Sequence, residues 1–276
     1  MNELALFAGA GGGILAGKLL GWRTVCAVEW EPYAACVLAA RQNDGLLPPF
    51  PIWDDVQTFD GRPWAGVVDV VSGGFPCQDI SVAGKGAGIT GERSGMWRHM
   101  ARIIGEVRPR YVFVENSPAL ITRGLGVVLG DLAALGYDCK WTVLGAADVG
   151  APHQRDRFWL VAHANSLREL QPQGSISDQW RRVGDCCAEM ADADGADSQG
   201  GGGFYDTQGW EESFRHARLG SGVPDWYASE PDVGRVANGV DARVDRLKAL
   251  GNGQVPACAA AAWRLLINAS QSGQTF

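Results

Sequence analysis

The first thirty residues leave this chain few folds to choose from. Residues 4–7 are a short apolar run, residues 8–13 hold four glycines, residues 14–20 take up helical spacing, and a second apolar run at 24–28 ends on Glu29. Strand, glycine turn, helix, strand and acid in that order open a doubly wound α/β sheet. Glycine has no Cβ, so the turn at Gly9, Gly11 and Gly12 lets backbone approach a ligand closely. A carboxylate eighteen residues past Gly11 suits the hydroxyls of an adenosine ribose. Ile14 stands where a dinucleotide fingerprint needs its third glycine, so the pattern does not fit a pyrophosphate site.

Three later strand ends carry the reactive side chains. A buried-looking run at 67–71 leads into Gly73-Gly74-Phe75-Pro76-Cys77-Gln78-Asp79-Ile80-Ser81. Cys77 is a candidate nucleophile, and because a free thiol has a pKa of about 8.5, something nearby must activate it or accept its attack. Residues 111–114 form a strand that leads into Glu115-Asn116, and residues 151–157 bring Arg155 and Arg157 to the start of an apolar strand at 158–162. If these strands share one sheet, Cys77, Glu115 and the arginines meet at one edge. Helical spacing is predicted over 32–42, 96–107, 125–135 and the alanine-rich stretch 256–267. Between Cys77 and the second of these helices, residues 84–95 hold five glycines, which reads as a loop able to close over a ligand.

Composition narrows the function. With 46% hydrophobic and 20% charged residues the chain reads as a soluble globular protein. It has no apolar run approaching the roughly 18 residues of a membrane span, and Met1-Asn2-Glu3 lacks the features of a signal peptide, so the expectation is a cytoplasmic protein with no membrane partner. Seven cysteines without a Cys-x-x-Cys spacing form neither a disulfide framework nor a zinc site, and no metal is expected. The net charge of −7 argues against nonspecific coating of nucleic acid. The acidity is concentrated, however. Residues 165–235 hold 6 basic and 13 acidic side chains, leaving 18 of each elsewhere.

Pro76-Cys77-Gln78, Glu115-Asn116, Arg155-x-Arg157 and Gly251-Asn252-Gly253-Gln254-Val255-Pro256, in that order, resemble the DNA cytosine-5 methyltransferases of bacteria and their phages. The resemblance covers residues 1 to about 163 and about 245 to 268. It implies a Rossmann-like, mostly parallel sheet over 1–163 plus 245–276, interrupted by a small target-recognition domain at 164–244. The implied cofactor is S-adenosyl-L-methionine, with Phe7 and Trp30 on the adenine, Glu29 on the ribose, Asp55 on the adenine amino group and Asn252 on the methionine part; Gly9, Gly11, Gly12 and Pro76 complete that site. Read without the resemblance, Phe7 and Trp30 are core aromatics, and Asp54 competes with Asp55.

In the implied chemistry Cys77 attacks carbon 6 of a flipped-out cytosine, Glu115 serves its N3 and amino group, Arg157 holds O2 and Arg155 completes the catalytic set. Ser81 and Arg93 are implied phosphate contacts. The partner would be double-stranded DNA, with a restriction endonuclease acting separately and the enzyme itself a monomer. The sequence departs from the family pattern at His153, where Gln is usual, and at Ser117, where Val is usual. Three other readings compete: a tRNA cytosine-5 methyltransferase sharing the catalytic domain, a DNA-binding relative without catalysis, and a nicotinamide oxidoreductase resting on the glycine turn alone.

Overall fold

The computed structural model describes residues 1–76, 95–165 and 242–271, with side chains through residue 268. Cys77, Ser81 and Arg93, and nearly all of the domain expected at 164–244, lie outside the described residues.

Among the described residues seven strands form one sheet: β1 (Asn2–Leu6), β2 (Arg23–Val28), β3 (Ile52–Trp53), β4 (Val70–Gly73), β5 (Tyr111–Asn116), β6 (Tyr137–Leu144) and β7 (Arg157–Ala164). Their order is β3-β2-β1-β4-β5-β7-β6. Every described pairing is parallel except those of β7, which runs antiparallel to both β5 and β6. The helices are α1 (Gly12–Leu19), α2 (Pro32–Asn43), α3 (Met96–Val107), the short α4 (Leu120–Arg123), α5 (Leu125–Ala134), α6 (Arg243–Asn252) and α7 (Pro256–Gln271).

The two faces follow from period-two alternation along the strands. Leu4, Leu6, Val71, Val112, Val114, Phe158 and Leu160 turn to one side, where they meet the buried stripe of α3 and Leu125, Val128 and Leu132 of α5. The opposite positions Val70, Phe113, Trp159 and Val161 meet Ala16 of α1 and Cys258, Ala259, Ala262 and Trp263 of α7. Leu38 of α2 packs over Ala5 and Ala27 on β1 and β2. Helices on both faces of a mostly parallel sheet make the doubly wound α/β architecture expected from the sequence.

The alanines of α7 leave room for close approach, and Trp263 fills the gap they frame. Its ring meets Trp22, Phe113 and Tyr111 edge-on, with centroids 4.6, 5.4 and 5.4 Å away. Burying a side chain of that size contributes roughly 2 kcal/mol or more. The contact fastens the C-terminal helix beneath the middle of the sheet. It therefore fixes where the preceding turn, residues 253–255, can lie.

Two features differ from the sequence reading. Glu115 and Asn116 lie within β5 because the ladder continues through Glu115↔Trp159 and Asn116↔Phe158 of β7. The strands at 52–53 and 137–144 were not anticipated. The first is two residues long, and in the second Asp138, Lys140 and Thr142 interrupt the apolar residues on an edge strand.

Candidate active site

The carboxyl-terminal ends of β1, β4 and β5 converge on a cleft whose other wall is the turn between α6 and α7. Phe7, Gly9, Gly13, Gly74, Glu115, Asn252 and Gln254 are among the residues that line it. Of the residues expected from the sequence, Phe7, Gly9, Glu115 and Asn252 are thus brought together. Glu29 and Trp30 follow β2 at the same edge, and Pro76 follows β4.

The turn after β1 has unusual backbone. Phe7 has φ of 51°, Gly9 of 55° and Gly11 of 92°. A left-handed conformation at a bulky non-glycine residue costs on the order of 1–3 kcal/mol and concentrates at ligand sites. Gly12 is required for a different reason. A Cβ there would lie 2.3 Å from the carbonyl oxygen of Gln254, so the chain can close against the C-terminal turn only through glycine.

Glu29 is held just past the end of β2 by two backbone donors. Its Oε2 accepts from the Gly9 N–H at 2.6 Å and its Oε1 from the Glu31 N–H at 2.7 Å. Each carboxylate oxygen has further acceptor capacity for hydroxyl donors. Burial pushes its pKa up, while the two N–H donors and Lys248 oppose the rise. Lys248 of α6 also pairs with Glu31, which draws α6 toward this wall of the cleft. Trp30 beside it is 72% exposed, which removes the core-aromatic reading for that residue. Phe7 is half-buried and packs on the α3-side core. Asp55 is half-buried and uses Oδ1 to accept from the Gln57 N–H at 2.8 Å, closing a turn after β3; Asp54 is exposed.

The acid is the most perturbed group of the cleft. Burial raises the Glu115 carboxyl to about 7, against the opposing effects of Arg157, Arg155 and a hydrogen bond with Gln254. Arg157 Nε donates to Glu115 Oε1 at 3.0 Å. Arg155 faces the other way in its resolved bonds: Nη2 donates to the carbonyls of Gly251 at 2.6 Å and Gly253 at 2.7 Å. One arginine of the Arg-x-Arg pair therefore grips the acid, and the other grips the C-terminal turn.

The approach to Pro76 is equally fixed. Asn116 is buried and its Nδ2 donates to the Phe75 carbonyl at 3.2 Å. Phe75 is itself buried against Trp97, with ring centroids 5.4 Å apart, and Trp97 Nε1 donates to buried Asp131 at 2.7 Å. The residues leading up to Cys77 are thus anchored from two directions. Sequence reasoning assigned no role to Gln254, Gly13 or Gly74, although all three lie in glycine-rich stretches it had singled out.

The adenosine half of S-adenosylmethionine fits this cleft on its own terms. A glycine turn lines it, a carboxylate anchored by two backbone donors follows β2, and an exposed indole stands next to that carboxylate.

Comparison with known proteins bears on the same region. The family profile described as C-5 cytosine-specific DNA methylase matches residues 1–193, about seven tenths of the chain. The chain is 35% identical over 163 residues to the Type II methyltransferase M.CviJI of Paramecium bursaria Chlorella virus IL3A, covering 58% of this chain and 42% of that protein. It is 31% identical over 188 residues to M.NgoBI of Neisseria gonorrhoeae, covering 67% and 56%. With M.HhaI of Haemophilus parahaemolyticus the identity is 33% over 172 residues, covering 60% and 50%. The chain thus spans about half the length of the curated relatives it matches. Among solved structures, the Entamoeba histolytica methyltransferase EhMeth superposes with a TM-score of 0.51 at 16% identity, covering 64% of this chain and 59% of that one, which shows a shared fold. On the strength of the profile match, this chain belongs to the C-5 cytosine-specific DNA methylase family.

Proposed function

We propose that the protein is a DNA (cytosine-5-)-methyltransferase that uses S-adenosyl-L-methionine and works through a covalent bond between Cys77 and carbon 6 of the target base. The observation that carries this reading is Glu115, a buried carboxyl raised to about 7, clamped by Arg157 at the sheet edge where β4 leads to Pro76-Cys77. A carboxyl that is part-protonated near neutrality can both give and take a proton there.

Carbon 5 of cytosine is a weak nucleophile. The Cys77 thiolate adds to carbon 6, and the electron pair displaced from the 5,6 double bond makes carbon 5 nucleophilic. Glu115 protonates N3 and accepts from the amino group, while Arg157 donates to O2, so charge that builds on the ring is met by a proton and a cation. Acid assistance of this type is worth about 10² to 10⁴ in rate. S-adenosylmethionine, when bound, would supply the electrophilic methyl group that carbon 5 takes, its sulfur–methyl bond breaking to leave S-adenosylhomocysteine. The carbon 5 proton then leaves to a base, the carbon–sulfur bond breaks and Cys77 returns as thiolate.

A base inside a duplex cannot enter such a cleft, so the cytosine must be flipped out at a cost of a few kcal/mol. Phosphate contacts at Ser81 and Arg93, and base contacts from residues 164–244, would offset that cost. The Type II naming of the relatives supports a separately acting restriction endonuclease with the same target. On this reading residues 1–163 and 245–276 form the catalytic domain, acting as a monomer in the cytoplasm.

The test is incubation with methyl-labelled S-adenosylmethionine and unmethylated genomic DNA, followed by nucleoside analysis. Label in 5-methylcytosine is expected. Label in tRNA but not in DNA would replace the DNA reading with the tRNA one, and label in neither would refute methyl transfer. Exchange of residues 165–240 with those of a relative should change the methylated sequence and not the chemistry.

A further inference from the structure

Gln254 stands at a junction that the reaction scheme above leaves without a role. It belongs to the turn between α6 and α7, and it faces two sites that are far apart in sequence. Its backbone carbonyl lies against Gly12, and its side-chain Oε1 would lie 2.7 Å from a Cβ at Gly13. Its Nε2 would lie 3.3 Å from a Cβ at Gly74, at a point where Glu115 Oε2 would lie 2.5 Å away. The amide oxygen thus faces the glycine turn and the amide nitrogen faces the acid, with which it is hydrogen-bonded.

We propose that Gln254 is the positioning residue for Glu115, holding Oε2 from the cleft side while Arg157 holds Oε1 from the other. This rests on the methyl-transfer reading and deepens it. Three observations support the assignment. A carboxyl held at one oxygen can still rotate, whereas one held at both has its plane fixed, and a proton donor must lie in the plane of the ring it serves. Gln254 is itself immobilised, because Arg155 bonds the carbonyls of Gly251 and Gly253 immediately before it. The space it occupies is kept by glycine at 12, 13 and 74, each of which would crowd Gln254 or Glu115 if it carried a side chain.

The amide N–H donates to the carboxylate and so favours its charged form. The other described charges facing Glu115 are Arg157 and Arg155, which act in the same direction. Removing the amide therefore keeps Glu115 protonated to higher pH and leaves it less well aimed.

The experiment is single-turnover methyl transfer to unmethylated genomic DNA at saturating S-adenosylmethionine, from pH 6 to 9, for the full-length wild type and Gln254→Met. Methionine keeps the volume and removes the amide. The expected result is a plateau rate lower by about tenfold and an alkaline limb displaced upward by about half a pH unit. A structural role alone would lower thermal stability or raise the cofactor requirement without moving the limb. Should Gln254→Met not fold, Gln254→Asn withdraws the amide by one methylene, and the same displacement is expected of it. An active wild type with a superimposable variant profile overturns the role of Gln254 alone. An inactive wild type overturns the methyl-transfer reading and this role together.

Discussion

Arg157 donates through Nε to Glu115 Oε1 at 3.0 Å, and it can do so because β7 runs antiparallel to β5. In a wholly parallel sheet the start of one strand lies at the opposite edge from the end of its neighbour. Reversing β7 puts Arg157, its first residue, beside Glu115 near the end of β5. The one antiparallel strand among the described residues thus delivers a cation to the edge where the acid stands. Burial pushes Glu115 up to about 7 all the same, so the pair is a source of instability at neutral pH as well as a chemical asset.

That instability has a definite pH dependence. Glu115 has a pKa of about 7 in the folded protein against an ordinary value of 4.5, so between those limits the folded state binds more protons than the unfolded state. Stability therefore falls as pH rises from 4.5 to 7, by about 3 kcal/mol, and this contribution is flat above that range. Glu115→Gln imitates the protonated form. It should exceed the wild type in urea-measured stability at pH 8 by up to about 3 kcal/mol and match it near pH 4.5, while losing about 10² to 10⁴ in methyl transfer. A variant no more stable than wild type at pH 8 would contradict the burial of this charge.

Gly12→Ala should damage both the fold and the cofactor site. The new methyl group would meet the Gln254 carbonyl at 2.3 Å, and because the obstacle is backbone, the α6–α7 turn must move. Overpacking of this sort costs about 1–3 kcal/mol. Gly130→Ala in α5 is the control: nothing lies within 4 Å of its Cβ position, and alanine in a helix interior gains about 0.5–1 kcal/mol. Thermal melts of the two variants should move in opposite directions. A Gly12→Ala protein with wild-type melting and cofactor affinity would show that the turn does not close against α1.

Trp30 separates binding from stability. At 72% exposure its removal should change stability by no more than about 0.5 kcal/mol. Trp30→Ala should nevertheless weaken S-adenosylmethionine binding about tenfold, because an exposed indole has a flat face to offer the adenine. Isothermal titration beside a thermal melt checks both halves. Loss of stability without loss of affinity would return Trp30 to the core.

How much of this was readable in advance depended on the range of the interaction. The strand, glycine turn, helix, strand and Glu29 were legible because each is a local pattern, and the Gly9–Glu29 bond closes between neighbouring strands. The convergence of Glu115 and Arg157 was legible as an expectation about strand ends, but not its cause, since the direction of β7 leaves no mark on the unbroken apolar run at 158–162. Gln254 was not legible. Its role follows from where α7 docks, and that is decided by Trp263 meeting Trp22 before β2 and Tyr111 and Phe113 on β5, contacts from two distant parts of the chain. Arg155 and Arg157 read alike as a pair, and only the tertiary structure shows one bonded to Glu115 and the other to the Gly251 and Gly253 carbonyls.

The proposed covalent step is tested most directly with duplex DNA carrying 5-fluorocytosine in place of cytosine, incubated with the protein and S-adenosylmethionine and separated under denaturing conditions. Fluorine cannot leave carbon 5 as a proton, so the carbon–sulfur bond persists once methyl transfer has occurred. The predicted result is a stable protein–DNA adduct that maps to Cys77 and is abolished by Cys77→Ala. Methylation of ordinary DNA by Cys77→Ala, or an adduct mapping to another residue, would contradict the assignment of Cys77 as nucleophile.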